Sequence, residues 1–68
     1  MTTVELTAPD ISCDHCKHHI EHDLAELDGV ARVVVTVPDQ RVLVDYDDAR
    51  LGLDAVRVKM TEIGYPPA

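Results

Sequence analysis

The chain has 68 residues, 46% of them hydrophobic, with 13 acidic and 6 basic side chains and a formal net charge of −7. A chain this short forms one small domain, here residues 1–68, and cannot enclose a large pocket as well as a core, which argues against most enzymes. The negative surface repels phosphate backbones, and with no Trp or Phe and only Tyr46 and Tyr65 there are no platforms for stacking bases, so nucleic acid is excluded as a partner.

The first element is expected at Val4–Ala8, where apolar and polar residues alternate with the period of a half-buried strand. Pro9 and Asp10 end it, and a loop from Ile11 to Cys13 follows. From about Asp14 to Asp28 the spacing turns helical. Ile20, Leu24 and Leu27 make one apolar stripe, with Cys16 near the same face and Gly29 as the stop. Val30–Val37 is rich in β-branched residues, with Val33, Val35 and Val37 on one face. The turn Pro38-Asp39-Gln40 then leads into Arg41–Tyr46, where Val42, Val44 and Tyr46 share a face. These two segments predict an antiparallel hairpin. A second helix is expected from Ala49 or Leu53 to Ile63, buried along Leu53, Val56, Met60 and Ile63 and ended by Gly64. Tyr65 begins a last strand, very short because Pro66 and Pro67 have no N–H for a ladder. The order βαββαβ predicts an α+β, ferredoxin-like fold with two helices on one face of a four-stranded antiparallel sheet.

Cys13-Asp14-His15-Cys16 lies where the loop becomes a helix. A helix N-terminus carries partial positive charge and unpaired N–H groups, which favour thiolate over thiol. Two intervening residues let both sulfurs converge on one ion. Two thiolates with no other soft donor suit Cu(I), whereas Zn(II) takes four ligands and needs His15, an acid such as Asp10, water or a second molecule to complete its shell. The same spacing occurs in dithiol redox sites, but this chain is short for a thioredoxin-type domain and has no Trp beside the cysteines.

The run Ile11-Ser12-Cys13-Asp14-His15-Cys16, together with Ile63-Gly64-Tyr65 after the second helix, resembles the heavy-metal-associated domain family. That family includes the Atx1-like copper chaperones and the N-terminal domains of copper-exporting P-type ATPases. The resemblance spans nearly the whole chain. It implies Cu(I) held by Cys13 and Cys16 in near-linear geometry and no enzymatic reaction. It also implies delivery to the metal-binding domain of a copper-transporting P-type ATPase through three-sulfur intermediates. Ile11 stands where the family has a Met that packs beneath the loop without binding metal, and Asp10 where it often has Gly. Tyr65 matches a position beside the metal loop in bacterial members, where it would pack over the site and hydrogen-bond a sulfur; core packing is its alternative role.

His15, His18, His19 and His22 recur at spacings of three and four along the first helix, away from its apolar stripe. They are expected to form a solvated polar face. Chelation of a divalent ion by such pairs is the alternative. His15, between the cysteines, is a further candidate to touch the metal or the partner. No apolar run approaches the ~20 residues of a membrane span. Met1-Thr2-Thr3-Val4 lacks the charged and apolar regions of a signal peptide. The expectation is therefore a free-standing cytoplasmic protein, monomeric unless a metal bridges two copies.

Overall fold

A computed structural model describes residues 1–68 as β1 (Thr2–Thr7), α1 (Asp14–Ala25), β2 (Val30–Thr36), β3 (Arg41–Tyr46) and α2 (Leu53–Glu62). The strands form one antiparallel sheet in the order β1-β3-β2, with both helices on the face that carries the core. The central strand β3 shows the alternation that its sequence predicts: Val42, Val44 and Tyr46 are buried. Leu6, Val42 and Val35 stand in one cross-strand row, and Val4, Val44 and Val33 in the next. Onto these rows α1 lays Ile20 and Leu24, and α2 lays Val56 and Met60, all fully buried. The core is thus almost wholly aliphatic, as a chain without Phe or Trp requires.

Two expectations change. The sheet has three strands, not four. Of the last strand only one ladder contact survives, from the Ala68 N–H to the Thr7 carbonyl at 2.8 Å. Pro66 and Pro67 have no N–H to donate, so no ladder can propagate beside β1. Helix α1 stops at Ala25 rather than near Asp28. Its continuation would stack Glu26 and Asp28 at the negative end of the helix dipole, and the chain instead tightens through short turns, Leu27 N–H to Leu24 O and Val30 N–H to Leu27 O. Strand β2 also carries an irregularity: its register against β3 shifts between Val30 and Arg32. The extra residue, Ala31, lets Val30 pair with Tyr46 while Val33 pairs with Val44.

Strand β2 is an edge of the sheet. Part of that edge is covered from above, because Glu21 of α1 accepts the Val35 N–H at 3.1 Å.

Candidate metal centre

The two cysteines occupy defined positions of the first turn of α1. Cys13 is the N-cap, with extended backbone (φ −158°, ψ 173°), and its carbonyl accepts the Lys17 N–H at 3.3 Å. Cys16 is therefore the third helical residue, N3. In a capping box the N3 side chain folds back toward the N-cap backbone N–H. Cys16 Sγ does this with sulfur in place of a carboxylate, and backbone groups of Ser12 and Cys13 point at it. The Cys-x-x-Cys spacing thus matches the helix-start geometry and brings Cys13 Sγ and Cys16 Sγ to 3.6 Å. That is far beyond a disulfide bond of about 2.0 Å, so both are free thiols. Cys13 is exposed and Cys16 partly covered.

Tyr65 reaches this site because of how α2 ends. The Tyr65 N–H donates to Met60 O at 2.8 Å and the Gly64 N–H to Thr61 O at 3.2 Å. These are the paired bonds of a Schellman cap, with Gly64 at φ 96° in the left-handed region that favours glycine. The cap reverses the chain and aims the Tyr65 hydroxyl at Cys16 Sγ. This hydroxyl is the largest influence holding the Cys16 thiol down, from an ordinary 9.0 to about 6. The backbone at Ser12 and, more weakly, Cys13 add to it, against a cost of burial that is larger than the Cys13 contribution. Reciprocally, the thiolate pushes the Tyr65 hydroxyl up to about 12. The thiolate form of Cys16 is thereby favoured over that of an unperturbed cysteine.

Ile11 is 1% exposed and packs into the core beneath the loop, as a branched apolar residue at that position should. Asp10 and His15 are both exposed. Neither brings a ligand atom within 4.8 Å of both sulfurs, so the structure assembles no three-ligand set around Cys13 and Cys16.

One residue of the site is missed by sequence reasoning, which sees Gln40 only as a turn residue. Gln40 has left-handed backbone (φ 55°), and its side-chain amide donates to Pro9 O at 2.8 Å and Ile11 O at 3.0 Å. Its carbonyl accepts the Ala8 N–H at 2.8 Å. The β2–β3 turn thereby clamps the loop that leads into Cys13 and Cys16. The left-handed position in a tight hairpin turn is the only signal, and the clamp itself spans about thirty residues of sequence. Gln40→Ala is expected to destabilise the protein by about 1–3 kcal/mol in urea melts, the worth of two hydrogen bonds. Amide exchange should accelerate at residues 10–13. Gln40→Gly relaxes the backbone and isolates the loss of the clamp.

A surface depression lined by Ala25, Leu27, Val30 and Arg50 lies at the opposite end of α1 from the sulfurs, so it has no part in this site. No helix is long and apolar enough to cross a membrane.

The chain is similar to known metal-handling proteins in sequence and in fold. The copper chaperone CopZ of Staphylococcus saprophyticus is 37% identical over 65 residues, which are 96% of each chain. A solved structure described as a CopZ metallochaperone superposes with a TM-score of 0.95 at 28% identity, covering 98% of this chain and all of that one. A copper binding domain from HMA7, a P-type ATPase, shares the fold alone, with a TM-score of 0.95 at 18% identity over 100% of this chain and 92% of that one. The pattern of the heavy-metal-associated domain matches residues 5–66, a span that holds both thiols, the Gln40 clamp and the Tyr65 hydroxyl, and the chain belongs to that family.

Proposed function

We propose that this protein is a cytoplasmic copper chaperone. It binds one Cu(I) through Cys13 and Cys16 and passes it by thiolate exchange to the metal-binding domain of a copper-transporting P-type ATPase. The observation that carries the reading is the pairing of two free thiols 3.6 Å apart, a partly covered Cys16 whose thiol is held low and an exposed Cys13, with no third ligand gathered around them. Two soft donors satisfy Cu(I) and leave Zn(II) short of its shell.

The 3.6 Å gap between the sulfurs is shorter than two metal–sulfur bonds end to end, about 4.6 Å if each is about 2.3 Å. Linear binding thus requires Cys13 to swing outward, and its exposure permits this. The same swing presents Cys13 to an incoming thiolate, so a three-sulfur intermediate forms without first breaking the Cys16 bond. Cys16, held by Tyr65 and the loop backbone, is the ligand released last. No substrate bond is transformed, so the role is carriage and not catalysis.

Docking fits the charge. Asp10 and Asp14 stand exposed beside the sulfurs on a chain of net charge −7. A partner domain of the same fold with a basic rim would be steered toward them.

The test is an anaerobic titration of Cu(I) against a chromophoric chelator, with Zn(II) as rival, followed by mixing the loaded chain with an ATPase metal-binding domain. One Cu(I) per chain, unaffected by Zn(II), and redistribution of copper to the ATPase domain are expected. Displacement of Cu(I) by equimolar Zn(II), or copper that stays put with the ATPase domain in excess, sinks the proposal.

A further inference from the structure

All four histidines of α1 are exposed, as expected, but they are not equivalent. The His15 and His18 side chains enter no hydrogen bond or ion pair, whereas those of His19 and His22 converge on one carboxylate. His19 Nε2 lies 2.8 Å from Asp23 Oδ2, and His22 Nδ1 lies 3.2 Å from Asp23 Oδ1 and 3.5 Å from Glu26 Oε1. Asp23 is the least exposed member, its side chain 22% accessible against 74% for His22 and 62% for Glu26. The ligand atoms of His22, Asp23 and Glu26 all lie within 4.8 Å of one another.

We propose that His22, Asp23 and Glu26 form a second metal site, separate from the thiolates, for a borderline divalent ion of the Zn(II) class, with His19 as the group that positions Asp23.

Three features carry it. The first is spacing. Tetrahedral zinc with bonds of about 2.0–2.2 Å to nitrogen and oxygen has ligands about 3.3–3.5 Å apart. The His22–Asp23 and His22–Glu26 separations of 3.2 and 3.5 Å fall near that edge, and the third, Asp23 to Glu26, is within 4.8 Å. The second is ligand chemistry. One imidazole and two carboxylates match a borderline ion and not Cu(I), which the two sulfurs serve. The remaining coordination position opens to water, because His22 and Glu26 are exposed.

The third is support from outside the ligand set. A ligating carboxylate is commonly held by a further hydrogen bond that fixes its orientation. Here His19 takes Asp23 Oδ2 and leaves Oδ1 turned to His22. The His19 ring is itself fixed edge-on against Tyr65, with centroids 5.7 Å apart at 84°. Lys59 of α2 makes no ion pair with Asp23 and acts on it only through its charge, which opposes a bound cation.

The two sites cannot share one ion. His22 and Asp23 are six and seven residues beyond Cys16 along α1, about 9–10 Å at 1.5 Å per residue.

The test uses the full chain as Cys13→Ser/Cys16→Ser, which removes the sulfur site, and Zn(II) alone as the probe. Stoichiometry and affinity are read by calorimetry and by competition with a chromophoric chelator, with circular dichroism to verify the helix. One Zn(II) per chain is expected. His22→Ala should remove the saturable binding, and His19→Phe, which keeps a ring against Tyr65 but loses the hydrogen bond, should weaken it about tenfold or more. His18→Ala should leave it unchanged. The proposal is overturned if the double-serine chain binds no Zn(II) saturably, if His22→Ala binds as its parent does, or if His18→Ala weakens binding as much as His22→Ala. That last result would mean diffuse association with surface imidazoles.

Discussion

Cys16→Ser is expected to lower Cu(I) affinity by about a thousandfold or more, since a lone thiolate with a hydroxyl partner is a poor site for a soft ion. Cys13→Ser should do the same to affinity, but the two variants should differ in kinetics. With Cys16 retained, residual copper sits on the thiolate that Tyr65 and the Ser12 and Cys13 backbone stabilise. With Cys13 retained, it sits on the exposed sulfur and should exchange faster. Neither substitution should unfold the chain. Cys13 makes no side-chain cap hydrogen bond, and serine at position 16 keeps an acceptor facing the N-cap. The measurement is an anaerobic chelator competition on each variant, with a stopped-flow transfer rate. Wild-type affinity in either variant would remove the sulfur pair as the site.

Tyr65→Phe carries the second large effect. Losing the hydroxyl removes the largest influence on Cys16, whose thiol sits at about 6 in the wild type. The midpoint of Cys16 alkylation against pH should then rise by at least about one unit toward the ordinary 9.0. A full return would cut the thiolate fraction at pH 7 to about one per cent. The midpoint is the right readout, because a thiolate of higher pKa is also the stronger nucleophile and partly offsets its scarcity in the rate. An unmoved midpoint would assign the Cys16 shift to the loop backbone alone.

The same contact fixes how stability depends on pH. The folded state holds Cys16 below its unfolded value of 9.0, so its contribution is present above pH 9 and lost as pH falls through about 6. Tyr65 is raised from 10.0 to about 12. Its contribution is present below pH 10 and lost as pH rises toward 12. The metal-free protein should therefore grow more stable between about pH 6 and 9 and level off up to 10. In Tyr65→Phe the rise should flatten. Urea midpoints across this range, under reducing conditions, check both.

For the fold, local pattern is informative where one residue's face is set by its neighbours in sequence. The alternation of Val42, Val44 and Tyr46 and the stripe of Ile20 and Leu24 follow from the periods of strand and helix alone, and both are buried as expected. Pattern fails where an element's end or register depends on partners elsewhere. The shift at Ala31 is set by β3, not by the valines of β2. The fourth strand reduces to one bond because two prolines cannot donate to β1, although Tyr65 ahead of them reads as a strand start.

The functional chemistry divides the same way. The two sulfurs, their place at the start of a helix and the glycine before Tyr65 are legible in the residues themselves, because capping rules act over three or four residues. That Tyr65 meets Cys16 and that Gln40 holds the loop follows from the tertiary structure. It alone showed that His15 stands apart while His19 and His22 share Asp23. The first two contacts join segments about thirty to fifty residues apart, and their positions follow from how the helices lie on the sheet. The last is local in sequence, yet it turns on which rotamers the packing against Tyr65 and α2 selects. Residue spacing cannot supply that.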